Sequence, residues 1–230
     1  MAQRVRATRT AQRVENLTLP ITVLRCDYSK RSHTSYLFTI FHRLNTGAVK
    51  LNNQEIRNCI FTGELNDLLF ELNKDPDWLI LNRMRSPTGN RFRGQELILR
   101  LFALADGYSQ YGGRLAKYLN DYMAGNRNPL DSQVQAKRVL FKRVLAVVFK
   151  SIYGSEAPER GPMSVLEATL VGVTANIEVL EGLPPAELRR RQHRMLSNDE
   201  FSSERLSEGL SGKERLIGRL DAAISAFGQG

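Results

Sequence analysis

Cysteine is nearly missing from this chain: Cys26 and Cys59 are the only two among 230 residues. They build neither a disulfide framework nor a zinc site, so a reducing, cytoplasmic setting is the simplest expectation. Histidine is as scarce. His33, His42 and His193 lie apart, with no HExxH or similar pattern, so no metal site is legible. Long apolar runs are missing too. The best, Met163 to Leu180, is interrupted by Glu167, Asn176 and Glu178 and is short for a bilayer. It is expected to be a buried helix, and no membrane partner is expected. Nor is there a P-loop, a GxSxG elbow or a nucleophile–base pair.

What the chain has is basic charge, net +9 with a sequence pI near 9.8, which suits a polyanionic partner such as DNA. Residues 1–16 carry Arg4, Arg6, Arg9 and Arg13 with no acid before Glu15, and read as a basic arm. Three further clusters can neutralise phosphates without reading bases. They are Arg83, Arg85, Arg91 and Arg93 in a loop, Arg138, Lys142 and Arg143 on a helix face, and Arg189, Arg190 and Arg191 in ELRRRQHR. Each can equally be a solvated surface.

Leu19 to Cys26, LPITVLRC, is the one convincing strand, β-branched and bounded by a proline. No second strand of that quality follows, and a lone strand must find a neighbour for its backbone groups. The remainder is periodic at helical spacing. Helices are expected over Ser35–Leu44, Asn52–Phe61, Glu64–Leu72, Pro76–Leu81, Gln95–Tyr108 and Ser132–Tyr153, with further ones around Leu115–Met123, Met163–Leu180, Glu187–Arg194 and Lys213–Phe227. The expected fold is mainly α (α+β): a helical domain with a small N-terminal β element that is incomplete on its own. Residues 17–63 are expected to be the remnant of a core and 64–230 a helical extension.

The densest polar constellation is Arg43, Asn45, Gln54, Glu55, Arg57 and Asn58, around the Gly47 loop. Arginine and amides beside helix ends can hold phosphate or position a water. Capping accounts for part of it: Asn52 and Glu55 stand at capping-box spacing, and Asn45 and Gly47 suit the end of the preceding helix. On the second helix Ile56, Cys59 and Ile60 are expected to face the core, as are Tyr36, Leu37, Ile40, Phe41 and Leu44 on the first.

FHRLNTG followed by LNNQEIRNCIFTG resembles a prokaryotic domain family found in the N-terminal part of GmrSD-type modification-dependent restriction enzymes and of SspE-type phage-defence proteins. GQELILRLFALADGY, LAKYLNDYM, VVFKSIYG, SVLEATLVGV and the closing LSNDEFSSERLSEGLSGKERLIGRLDAA match in order, so the resemblance runs from about Leu19 to about Ala223. It implies a ParB/sulfiredoxin-like β-containing core with a helical extension. The family's nucleotide-hydrolysis or nuclease function depends on an Asp-Gly-Gln-Gln-Arg motif that this sequence lacks. Its second signature, Phe-x-x-x-Asn, is present as Phe41 and Asn45. Gly47-Ala48 stands where the family often has paired glycines.

The resemblance therefore implies a partial restriction-like defence protein that contacts DNA and contributes to a nucleotide-hydrolysis or nuclease site completed by another chain. Arg43, Asn45, Gln54, Glu55 and Arg57 would contribute to catalysis, and Gly47 and Asn58 to ligand binding. Catalysis by this chain alone is not expected. No cofactor is evident, and a nucleoside triphosphate with a divalent metal follows only where the missing core is supplied. The alternatives are a non-catalytic basic helical module that binds DNA or a defence partner, and a non-functional fragment; self-association into a homo-oligomer stays open.

Overall fold

The computed structural model describes residues 21, 23, 25, 27, 30–44, 50–86, 88, 90–159 and 161–228. Among them every regular element is helical and there is no strand. Of the run expected to be a strand, only Ile21, Val23 and Arg25 are described, all exposed. The basic arm of residues 1–16 lies outside the described residues.

The helices begin where the local chemistry tells them to. After α1 (Arg31–Leu44) comes α2 (Asn53–Ile60), opened by a reciprocal capping box. The Glu55 N–H donates to Asn52 Oδ1 at 2.9 Å and the Asn52 N–H to Glu55 Oε2 at 2.7 Å, satisfying two donors that a helix start leaves orphaned. Helix α3 (Glu64–Leu72) places Glu64 and Asp67 in its first turn, where the helix dipole favours acids. Helix α4 (Pro76–Leu81) starts on a proline, with Asp75 accepting from the Asp77 and Trp78 amides. The basic loop follows, then α5 (Arg93–Gly107), α6 (Leu115–Gly125) and α7 (Asp131–Leu145).

The long helix expected over Ser132–Tyr153 changes register: Ala146–Ile152 is a π-helical segment. This stretch packs on α4 and α7, and on two helices that come later, α8 (Met163–Ala175) and α10 (Pro185–Leu196). Surrounded on several sides, it buries Val147, Val148, Phe149 and Ile152, which a 3.6-residue turn would spread around the helix. The apolar run from Met163 likewise splits into α8 and a short α9 (Ile177–Leu180). Asn176 stands at the break, its side-chain amide donating to the Gly172 carbonyl at 2.9 Å and the Ile224 carbonyl at 3.0 Å. The last helix, α11 (Lys213–Gly228), packs along α8. At Gly172 the two backbones approach so closely that an added Cβ would lie 2.9 Å from the Ala223 carbonyl oxygen.

One hydrophobic core runs from Leu37 to Phe227. Phe61 and Leu65, on either side of the boundary expected after residue 63, belong to the same cluster. Two expected core residues face out instead. Cys59 is exposed, because Gln54 and Arg57 are buried with Ile56 and Ile60, and an inward face centred between Ile60 and Arg57 leaves Cys59 on the far side at 100° per residue. Tyr36 is 64% exposed; the inward arc of α1 runs through Leu37, Phe41 and Phe38, one residue further on.

Candidate anion-binding site

Helix α2 carries its polar stripe inward. Arg57 is 1% exposed and spends its whole guanidinium on three helices. Its Nε donates to Gln54 Oε1 at 2.9 Å, one NH group to Glu96 Oε2 at 2.6 Å, and the other reaches Asn120 Oδ1 at 3.4 Å. Gln54 in turn donates to Asn58 Oδ1 at 3.0 Å, and Asn58 to Gln95 Oε1 at 2.8 Å. The residues expected to form one polar face therefore do so, but that face meets α5 rather than open solvent.

Glu96 is shared. Its Oε1 accepts from Arg100 at 2.6 Å, and Arg100 donates onward to Glu167 Oε2 at 3.0 Å. Glu167 is 2% exposed, on the buried helix α8. Burial pulls Arg57 down to about 10, against the opposing pull of Glu96, and the neighbouring Arg100 charge lowers it further. Burial also acts on Arg100, but Glu167 and Glu96 together outweigh it and hold that guanidinium above its ordinary value. Behind them Arg219 is held low by burial. It donates to the Leu210 carbonyl at 2.7 Å, and its Nε and second NH group meet no protein acceptor among the described residues.

This row opens into a cleft of about 530 Å³ whose floor includes Arg57, Glu96 and Arg100. The opposite wall is the start of α6: Gly113, Arg114, Leu115, Ala116 and Lys117. That helix start has no side-chain cap, so its first amides and the positive end of its dipole face the cleft region. Arg114 is exposed and has no acidic partner among the described residues, while Lys117 is paired with Asp121. Gly113 brings Lys213 close: a Cβ on the glycine would lie 3.6 Å from Lys213 Cβ. A cleft of this composition can hold an anion through charge-assisted hydrogen bonds.

The other sequence candidates fall elsewhere. Asn45 and Gly47 lie outside the described residues, and Arg43 is exposed on the last turn of α1. Glu55 caps α2 and pairs with Arg91, which holds its carboxyl below the usual range. Most of the expected phosphate contacts are already matched by carboxylates: Arg138 with Glu71 at 2.7 Å, Lys142 with Asp75, Arg143 with Glu178 at 3.0 Å and Glu181 at 2.7 Å, and Arg190 with Glu187 at 2.6 Å. Arg191 is buried, with Nε on Glu187 and an NH group on the Phe227 carbonyl. It ties α10 to the end of α11 rather than meeting solvent, since it lies on the side of α10 that carries Leu188 and Met195 inward. Arg189 donates to the Ser151 carbonyl at 3.0 Å, Arg83 to the Pro158 carbonyl and Arg93 to Met163 Sδ at 3.2 Å. Arg85 is exposed.

Sequence reasoning missed Glu96, Arg100, Arg114 and Lys117. A signal existed for two of them: Glu96 and Arg100 stand four apart in one helix, the spacing of an ion pair on one face. Among the described residues no group of three or more His, Cys, Asp or Glu side chains is placed to hold a metal, and no helix is long and apolar enough to cross a membrane. Fold and cleft together define a class, a mainly helical domain with an interior row of alternating arginines and carboxylates opening into a basic cleft. No protein-family model, curated protein or solved structure matches the chain.

Proposed function

We propose that this chain is a DNA-contacting component of a restriction-like, GmrSD/SspE-type defence system, providing a phosphate-binding half of a nucleotide-hydrolysis or nuclease site. The observation that carries the reading is the basic cleft. It includes Arg57, from the stretch that resembles the family, and adds Arg100, Arg114 and Lys117 against the single lining carboxylate Glu96. Even with Arg100 also paired to Glu167 and Lys117 to Asp121, Arg114, with no acidic partner among the described residues, and the uncapped α6 start leave a preference for anions. A second chain bearing the Asp-Gly-Gln-Gln-Arg motif supplies the reacting groups. The small β element expected at Leu19–Cys26 belongs to the same proposal, as the strand that pairs with that chain. Ile21 and Val23, 82% and 78% exposed, support it with apolar surface to cover. The setting is cytoplasmic.

The test is to co-express the chain with the product of the adjoining upstream reading frame, purify the pair, and measure nucleoside triphosphate hydrolysis and DNA cleavage with a divalent metal. The reading expects a stable pair whose activity drops with Arg114→Ala while the pair stays intact. No association, or an inactive pair, overturns the half-site. A non-catalytic phosphate-binding role is the second reading. It is favoured by the engagement of Gln54, Arg57 and Asn58 in interior hydrogen bonds, and it expects salt-sensitive DNA binding with no turnover in any pairing.

A further inference from the structure

The structure holds a second concavity that the phosphate reading does not use. We propose that the groove between the 83–92 loop, the start of α8 and the end of α10 binds a small amphipathic anion: one phosphate- or carboxylate-type group on an apolar or aromatic body.

The groove encloses about 860 Å³, inside the span of roughly 300–1,000 Å³ typical of small-molecule sites. Its wall is apolar, formed by Leu81, Val165, Leu166 and Leu196 with the ring of Tyr153. Gln192 donates to the Tyr153 hydroxyl at 2.7 Å and fixes that ring in place. Arg83 and Arg93 also line the groove. Both guanidiniums rest on neutral acceptors, the Pro158 carbonyl and the Met163 thioether, and among the described residues neither meets a carboxylate. That sets them apart from Arg91 in the same loop, which Glu55 neutralises. Among the described lining residues Glu159, itself exposed, is the one carboxylate beside the two arginines. Apolar walls with a few convergent charged groups are the pattern of a site that orients an amphipathic ligand.

The backbone adds an independent observation. Arg83 has φ +54°, and Asn90, Arg91 and Phe92 follow one another at +49°, +53° and +64°. Left-handed geometry is strained for a non-glycine residue, and it persists where the surroundings over-determine it. Here Arg91 is tied to Glu55 and to the Lys50 carbonyl, and the Phe92 ring packs edge-on against Phe70 at 5.8 Å. The left-handed turn sends Arg91 toward α2 while Arg93, two residues later, contacts Met163 on the groove side. The strain thus separates neighbouring arginines and leaves one of them facing the apolar wall.

The probe is 8-anilinonaphthalene-1-sulfonate, an aromatic body with one anionic group, titrated into the full chain by fluorescence and calorimetry. The expected result is one site per chain, weakened at least tenfold in the Arg83→Gln/Arg93→Gln double variant and unchanged in Arg85→Gln. Leu196→Trp, at a rim position 43% exposed, fills the groove without burdening the core and is expected to abolish binding. Displacement by adenosine 5′-monophosphate identifies a nucleotide-type ligand, and displacement by decanoate a fatty-acid type. Equal binding by the double variant, or equal binding of the uncharged N-phenyl-1-naphthylamine, overturns the proposal, as does displacement by neither competitor. None of these variants touches the Arg57 cleft, so the outcome is independent of the phosphate reading.

Discussion

Arg57 and Glu96 meet at 2.6 Å across the contact of α2 with α5, and the guanidinium in that pair is among the largest fully buried side chains described. Removing one partner of a buried pair leaves the other uncompensated, at a cost of about 3–5 kcal/mol. Arg57→Ala is therefore expected to lower stability by roughly 3 kcal/mol, the low end because Glu96 keeps Arg100 and some solvent. Urea denaturation reads this directly. A loss under 1 kcal/mol would mean that the cleft floor is not held by this pair.

Gly172 and Ala223 mark a close approach of α8 to α11. Because a Cβ on Gly172 would sit 2.9 Å from the Ala223 carbonyl oxygen and equally close to the Phe227 ring, Gly172→Ala must push α11 away from α8. Overpacking of this kind costs about 1–3 kcal/mol. Thermal unfolding of the variant should show a lowered Tm despite alanine's better helix propensity, and an unchanged or raised Tm refutes the close contact.

Acid weakens the Glu55–Arg91 link. The carboxyl is held below its ordinary value, chiefly by the hydrogen bond from Arg91. A depressed carboxylate contributes stability that is present above its unfolded value, about 4.3, and lost as pH falls through the folded one. Wild type should accordingly melt above Glu55→Gln at pH 7, with the gap narrowing as the pH falls below the ordinary glutamate range. A gap that persists in acid contradicts the pairing.

On the proposed DNA-contacting reading, surface pairing also ranks the basic residues as candidate contacts. Arg138→Ala removes a cation that Glu71 already neutralises, whereas Arg114→Ala removes one with no carboxylate partner among the described residues. Anisotropy titrations over a range of salt should show Arg114→Ala lowering the salt slope by about one, as for loss of one phosphate contact. Arg138→Ala should leave the slope near that of wild type and change stability by less than about 1 kcal/mol.

Much of the helical framework was legible because it is written locally. The bounds of α3 and α4 follow from Glu64 after Gly63 and from Asp75-Pro76, and the α2 capping box from Asn52 and Glu55. The π-helical turn after Leu145 was not legible, since it answers to helices that arrive from residues 163 and 185 onward. The cleft was half legible for the same reason. Gln54, Arg57 and Asn58 announce a polar face, but only packing on α5 turns that face inward and brings Arg114 across from it. Glu167 was legible as an interruption in an apolar run; its purpose, accepting from Arg100, was not.

Glu96 is one acid between two bases, and neither base discharges under cellular conditions: Arg57 stays charged up to about pH 10 and Arg100 is held higher still. Neither arginine supplies a proton-operated switch near neutrality. Between neutrality and mild alkali both arginines keep their charge, so on the proposed phosphate-binding reading they leave the pH dependence of capture to the guest. A phosphomonoester, gaining its second negative charge near pH 6, would be gripped more firmly as the medium rises through that point, while a diester of the DNA backbone would be held alike on both sides of it.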